Sequence, residues 1–463
     1  MKKTKIVATL GPASNDENMI VSLIKEGVDI FRLNFSHGDH FSHLENLQKI
    51  RKLSAIAGKF IGVLQDLGGP KIRLTEVEEP FDIHSGEKIS IKKSLTTSTR
   101  EHLAINHPEI LKSIKVGSRI YIADGLIRLE VEKITDDLIH TVVLVGGRIS
   151  SRKGVNFPDI SLDIPAITDK DKEDVLFAIK NEFEFIAISF VKRKEDVLEL
   201  KEFIRQNGGD IPIIAKIEKH EAIKDIDGII EVSDGIMVAR GDLGVEIELE
   251  KVPVIQKMII RKANEKNKPV ITATQMLNSM VNLPRPTRAE VSDVANAVLD
   301  GTDAVMLSDE TAAGKYPLES VRVMKKTIIE AEKIYEYHKT RKIEGGYAIP
   351  FSATELPKYT GIDKLVVFTS TGASAIRTSY FRPKADIIAN VTDIKVARKL
   401  SIVWGVTPNM LVIKSDDIDG LISDFLEKAT EDGILKKGEK IIAVMGYPAG
   451  VPGSTNLLRI IEV

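Results

Sequence analysis

The run IPIIAKIEKH, residues 211–220, closes an otherwise apolar segment on Lys216 and Glu218. Alternate side chains of an extended strand share a face, so this ammonium and this carboxylate point the same way. Opposite charges at a buried strand end are costly unless something uses them. The same pattern also describes an ordinary strand-end ion pair. IFRLNFSHG puts Arg32, Asn34 and Ser36 on one parity, and GIMVARGDLG delivers Asp242 on a glycine-flanked turn. Glu218 and Asp242 are hard oxygen donors that suit Mg2+ or Mn2+. No histidine clusters with them, which disfavours zinc. Arg32 offers a planar fork and Lys216 a point charge, so the two could hold a transferring phosphoryl group. The amides of the ARGDLG turn, beside a helix start, suit a carboxylate or phosphate, although a tight turn needs no ligand. ITATQML ends a strand on Thr272 and Thr274, where a hydroxyl could relay a proton or orient water, or simply fill the strand end. Each signal is weak alone. Together, on successive strand ends, they describe a site for an anionic substrate and a metal.

Eight strand-like runs carry these groups: 4–10, 28–35, 59–67, 183–190, 211–218, 234–240, 268–275 and 302–308. Amphipathic helical stretches lie between them, at 15–26, 40–57, 168–181, 250–266 and 317–337 among others. Strand–helix alternation predicts parallel βα units, and eight of them predict an α/β fold built on a closed (β/α)8 TIM barrel. In such a barrel the chemistry sits at the carboxyl ends of the strands. The barrel is expected over residues 1–69 and 167–340. A structureless loop over 70–166 is implausible inside a compact domain. Its short alternating runs, GEKISIKK, GSRIYIADGLIRLEV and HTVVLVGG, predict a small inserted β domain placed as a lid. EGGYAIPFSATELP, residues 344–357, reads as a linker. DKLVVFTS, ADIIANV, PNMLVIKS and EKIIAVMGY then alternate with helices, which predicts a third, α/β domain over 341–463.

Composition narrows the field. A chain of 463 residues with 43% apolar and 29% charged residues is of ordinary globular make-up. The net charge of −2 implies no nucleic-acid partner, and anion binding must come from a local cluster. Cysteine is absent, which excludes disulfides and thiol chemistry. No run approaches the ~18 apolar residues of a membrane span, and no signal-peptide pattern precedes the first strand. A cytoplasmic location follows as the expectation.

The motifs RLNFSHG, AKIEKHEA, SDGIMVARGDLGVE, ATQMLNSM, PTRAEVSDVANAVLDGTDAVMLSDET and GVPGSTN resemble those of the pyruvate kinase family along nearly the whole chain. The resemblance implies phosphoryl transfer from phosphoenolpyruvate to ADP, giving ATP and pyruvate with a divalent ion. It implies Lys216 and Arg32 as the cations on the phosphoryl group and Glu218 and Asp242 as ligands of the ion. It implies the Gly241 and Asp242 amides on the substrate carboxylate, with Ser189 and Ser308 lining the same pocket and Glu310 beside it. Thr274 matches the residue implicated in protonating the enolate. Arg73, with Asn34 and His37, matches the nucleotide side, and Asp124 and Lys153 match lid positions that close over it. The resemblance further implies a regulatory C-terminal domain and a homotetramer.

Two stretches depart from the common pattern. Potassium-dependent members hold the ion at positions matching Asn34, Ser36 and Asp66, and carry Glu where this chain has Lys71, in DLGGPK. The lysine predicts activity without potassium. The loop that binds sugar bisphosphates in relatives is rich in bases, but here it reads TSTGASA, with Thr369, Ser370, Thr371, Gly372 and Ser374. It could still cradle one phosphate of another phosphorylated effector. Asp309 in LSDET stands where glycine is usual. Two other readings compete: a non-catalytic metabolite sensor, opposed by Lys216, Glu218, Asp242 and Thr274, and a barrel lyase or aldolase, opposed by the 70–166 insert.

Overall fold

The computed structural model describes residues 2–158, 160, 164–410, 417–448 and 453–463. Eight parallel strands close into a barrel: Lys5–Thr9, Ile30–Asn34, Gly62–Asp66, Phe185–Ile188, Ile213–Ile217, Gly235–Ala239, Val270–Ala273 and Ala304–Leu307. Each pairs with its neighbours in chain order, and the first strand also pairs with the eighth, Lys5 beside Ala304. All eight predicted runs therefore became barrel strands. Most of their residues are buried on both faces, as a parallel sheet wrapped in helices requires. Four of the barrel helices start on side-chain caps, at Asp16, Asp39, Thr168 and Thr287, the last three as full capping boxes. Left-handed glycines stop two of them, Gly27 and Gly301.

Between the third and fourth barrel strands lies a separate set of short strands with its own apolar core, including Ile91, Ile120, Leu129 and Val143. Its main sheet has six strands, and the predicted runs appear as Lys88–Lys92, Arg119–Ile122, Ile127–Ile134 and Leu138–Val145. The chain enters and leaves side by side: Arg73 bridges Gly154, and the Leu74 amide donates to the Lys153 carbonyl at 2.8 Å.

The C-terminal region is a five-stranded sheet with helices. Two expectations change here. The stretch 344–357 is not a linker: a helix, Ala348–Glu355, packs on the last two strands. Its Gly-Gly and Pro content suggested a loop, but Pro350 and Ala353 find an apolar surface to bury against. The strand expected at PNMLVIKS begins earlier, at Val406, and runs to Met410; the rest of that run, 411–415, lies outside the described residues. A fifth strand, Thr455–Glu462, pairs antiparallel with Lys440–Gly446 and was not anticipated. Of the GVPGSTN motif, 450–452 lie outside the described residues.

Candidate active site

The barrel brings the flagged strand ends into contact. Lys216, 8% exposed, points its Nζ at three oxygens: Glu218 Oε1 at 2.7 Å, Ser189 Oγ at 2.8 Å and Asp66 Oδ1 at 3.2 Å. Asp66, 1% exposed, also takes the Arg32 Nε at 2.5 Å through its other oxygen. Strands two, three and five thus share one buried charge network, with Asp66 bridging the two cations. Arg32 Nη1 donates to the Thr9 hydroxyl at 3.0 Å, and that hydroxyl donates to the Leu307 carbonyl at 2.9 Å. Ser189 donates its hydroxyl to the Leu67 carbonyl at 2.8 Å, so its oxygen is free to accept from Lys216.

Charge tuning follows from this packing. Burial alone would lower the Lys216 ammonium, but the Asp66 and Glu218 carboxylates outweigh it and hold it above its ordinary value. Burial would raise the Asp66 carboxyl, but Lys216 and Arg32 hold it low. Glu218 is held high, first by burial and then by the like charge of Asp242, against the pull of Lys216. Lys216 and Glu218 lie 2.7 Å apart, and that contact favours the charged form of both. What lifts Glu218 is burial and the carboxylate of Asp242, a second negative charge that Lys216 does not cancel. Two hard carboxylates that repel each other at a strand-end rim fit a small divalent cation.

Asp242 is exposed on the first turn of the short helix Arg240–Glu246, within electrostatic reach of Glu218, Lys216 and Lys71. Gly241 does not present a free amide: it donates to the Thr274 hydroxyl at 2.7 Å, and that hydroxyl donates to the Ala273 carbonyl at 2.7 Å. Thr274 stands at φ 67°, a left-handed backbone costly for a β-branched residue. Arg240 holds it there, donating to the Thr274 carbonyl at 2.7 Å while paired with Asp293 at 2.7 Å. Glu310, 2% exposed, accepts from the Leu277 amide at 3.0 Å and the Ser308 amide at 2.8 Å, tying the ends of strands seven and eight. The Ser308 hydroxyl itself is buried with no partner among the described residues.

On the other side of the mouth, Asn34 accepts from the Ser36 amide at 3.1 Å. The His37 imidazole is held low by burial and by Lys71, Arg73 and Arg32, which places these cations around one exposed ring. Asp309 is exposed near the same ring and pulls it the other way. Lys71 is depressed by burial and by Lys216, and supported by Asp66, Glu218 and Asp242. Half-buried, it lies within electrostatic reach of the charge network. Arg73 donates to the Arg152 carbonyl at 2.9 Å, and Lys153 is exposed beside it at the neck of the insert. Asp124, at φ 56°, lies near Gly154 at the same neck.

The TSTGASA loop is less open than expected. The Thr369 hydroxyl takes the Gly372 amide at 3.0 Å, Thr371 takes the Ala373 amide at 3.4 Å, and Ser374 bonds the Thr455 hydroxyl at 2.6 Å. Ser370 keeps its place at the loop start, and Gly372 makes the turn at φ 85°.

Thr9, Arg240 and the Asp66 bridge were not foreseen in these roles. Asp66 lies in DLGGPK and Arg240 in GIMVARGDLG, but only strand closure reveals whom they touch. Lys219, His220, Glu221 and Glu246 form a further charged group, in which Glu246 is neutralised by Lys219 at 2.6 Å and accepts from Asn156 of the insert at 3.4 Å.

Comparison with known proteins points to one family. The family model for the pyruvate kinase barrel domain matches residues 1–321, and that for the pyruvate kinase alpha/beta domain matches 348–461. A pyruvate kinase of Clostridium acetobutylicum is 42% identical over 472 residues, 99% of each chain. One of Staphylococcus haemolyticus is 43% identical over 473 residues, 99% of this chain and 80% of its own. A crystal structure of a pyruvate kinase from Cryptosporidium parvum superposes with a TM-score of 0.92 at 38% identity, covering 100% of this chain and 96% of that one.

Proposed function

The chain belongs to the pyruvate kinase family and is a phosphotransferase acting on phosphoenolpyruvate and ADP, and from that premise we propose how its own residues divide the work. The observation that carries the reading is the shared network in which Asp66 sits between Lys216 and Arg32. Lys216 and Arg32 neutralise the phosphoryl group as its bond to the enol oxygen breaks and a bond to the terminal ADP oxygen forms. Asp66 fixes both cations: Arg32 keeps its Nη2 donors free among the described residues, while Lys216 turns one of its three donors from its present oxygens to the phosphoryl group. Glu218 and Asp242 would hold Mg2+ or Mn2+, which supplies charge neutralisation on the substrate oxygens when bound. The Asp242 amide, and the Gly241 amide once Thr274 releases it, receive the substrate carboxylate. Ser189 and Ser308 line that pocket. Protonation of the enolate carbon falls to the Thr274 side, through water. Asn34, His37, Arg73 and Lys153 receive the nucleotide, and the 70–166 insert closes over it as a lid.

Lys71 supplies the charge that a monovalent ion would supply at Asn34, Ser36 and Asp66, so activity does not require potassium. The 341–463 region regulates, with loop 369–374 as one candidate site for a phosphorylated effector, and the protein works as a cytoplasmic homotetramer. A coupled assay with phosphoenolpyruvate and ADP, titrating the divalent ion, tests the core reading. Saturable pyruvate formation that tracks the ion is expected, and no pyruvate with any divalent ion would overturn it. Equal rates in tetramethylammonium and potassium salts at one ionic strength are expected for the Lys71 assignment, and strong potassium activation would refute it.

A further inference from the structure

A cavity of about 420 Å³ lies away from the mouth, between the barrel floor and the C-terminal domain. That volume is within the range of small-molecule sites. Its barrel wall is made of the residues just before, or at the start of, successive strands: Phe185, Pro212, Asp234, Pro269 and Asp303. Its other wall mixes apolar side chains, Ile376 on the helix Ala373–Tyr380 with Leu400, Ile402 and Val403, with the cations Arg382 and Lys399.

The charges lining it are unequally spent. Asp234 is paired with Lys201 at 3.0 Å and takes the Ile213 amide at 2.9 Å. Asp303 is paired with Arg382 at 3.0 Å and takes the Val270 amide at 3.0 Å. Of the lining cations, Lys266 is paired with Glu231 at 2.9 Å and Arg382 with Asp303, but among the described residues Lys268 and Lys399 are not held by a close carboxylate. Lys268 donates only to main-chain carbonyls, to Ser233 at 2.7 Å and Glu231 at 3.4 Å, and among the described residues no carboxylate pairs with it. Lys399 donates to the Asp210 carbonyl at 3.1 Å, and its nearest carboxylate oxygen, at 4.0 Å, belongs to fully exposed Asp210. Arg382 is 3% exposed and its Nη1 has no partner among the described residues, although Nη2 reaches Asp303 and Asn264. The guanidinium lies 4.8 Å from the Trp404 ring centroid, so it has a cation–π partner, but Nη1 still lacks a hydrogen-bond acceptor among the described residues. Apolar side chains beside unspent cations fit a small organic anion with an apolar or ring-shaped body.

The position gives such a ligand leverage. Pro212, Asp234, Pro269 and Asp303 open the strands whose far ends lead into Lys216 and Glu218, Asp242, Thr274, and Ser308. Each strand spans four or five residues, about 15 Å at the usual rise. We infer that this cavity is a regulatory site for a small organic anion, and that its occupancy alters the mouth through barrel strands five to eight. A ligand bridging floor and C-terminal domain prefers one setting of the two bodies, which is the differential binding that coupling requires.

The chain has no cysteine, so Ile376→Cys would carry one thiol, at the cavity wall. Alkylation by N-ethylmaleimide, read by mass spectrometry, is measured with phenyl phosphate, with inorganic phosphate (anion alone) and with benzyl alcohol (ring alone). Phenyl phosphate at ten times its Kd is expected to slow labelling about tenfold, and each control less. Lys268→Met, with Lys399→Met as a second route should the first fold poorly, is expected to abolish that protection. In the parent chain phenyl phosphate should also move half-saturation by phosphoenolpyruvate about fivefold or more, and the lysine variants should lose this shift. No protection, protection that survives both lysine variants, or protection without a kinetic shift overturns the inference. A shift that persists in the lysine variants is competition at the mouth and overturns it too. The labelling arm does not depend on the proposed catalytic roles; only the kinetic arm rests on them.

Discussion

At Lys216 one ammonium faces two buried carboxylates, with a third, Asp242, in electrostatic reach. The raised Lys216 stays charged through neutral pH, so it is ready when a phosphoryl group arrives. Lys216→Met is expected to lower kcat about 10²–10³-fold, the scale for losing one preorganised charge-stabilising donor. kcat and kcat/KM should fall together, because the contact is made mainly in the transition state. Steady-state kinetics on protein shown by circular dichroism to be folded would check it, and turnover within a few-fold of the parent would remove Lys216 from the chemistry. Lys71→Glu should leave little activity in tetramethylammonium and recover it in potassium, because it would add a fourth carboxylate beside Asp66, Glu218 and Asp242. Rates compared across the two salts decide it. Lys216 and Glu218 were legible in the sequence because strand alternation alone puts them on one face. Asp66 as the bridge between Lys216 and Arg32 was not, because that contact exists only when strands two, three and five sit side by side. The donor role of Gly241 toward Thr274 was also invisible, since it depends on the left-handed turn at Thr274.

Strand ends hold their groups only if the loops behind them are tightly seated. Gly11, just after the first barrel strand, shows how little slack there is: a Cβ there would lie 2.5 Å from the Ala312 carbonyl oxygen and 2.9 Å from its carbon. Both are backbone atoms of the short helix Asp309–Ala312, which follows Ser308 and contains Glu310. Gly11→Ala must push that helix away, so it is expected to cost ~1–3 kcal/mol of stability and to loosen Glu310 from the Leu277 and Ser308 amides. Urea denaturation and the KM for phosphoenolpyruvate are the measurements, and an unchanged midpoint would mean that the helix moves freely. The eight barrel strands were legible because runs buried on both faces are oily throughout and end on polar residues. The helix Ala348–Glu355 was masked by glycine and proline nearby, and only its seat on the last two strands makes it regular. The strand Thr455–Glu462 was missed for the opposite reason. It is an edge strand with half-exposed residues such as Ile460, so no buried run announces it.

Between barrel and C-terminal domain the first strand acts as a tie. Glu332 takes the Lys3 amide on both oxygens, at 3.0 and 2.9 Å, and the Thr4 amide at 2.7 Å, while the Lys3 Nζ reaches Asp386 at 2.8 Å. Two residues on, the Lys5 Nζ donates to the Val406 carbonyl at 2.6 Å, with Asp29 at 4.0 Å as its nearest carboxylate. Nothing in MKKTKIVATL distinguished Lys3 and Lys5 from solvated basic residues, because their partners lie hundreds of positions away. Burial, only partly offset by Asp29, lowers Lys5 from 10.5 to about 8. Below about 8 Lys5 is charged in both the folded and the unfolded chain, and the folded state bears the burial cost. Between about 8 and 10.5 the folded chain has released this proton and the unfolded chain retains it, so stability rises with pH across that window. At about 1.36 kcal/mol per pKa unit the full gain is ~3 kcal/mol. Lys5→Met lacks this term, while every other titration is common to both proteins. The parent should therefore gain on the variant by up to ~3 kcal/mol as pH climbs through that window, read as the difference between their urea midpoints at several pH values. A difference that stays flat would mean that Lys5 is solvated, and the first strand's tie to the C-terminal domain would then rest on Lys3 and its contacts with Asp386 and the Ala385 carbonyl.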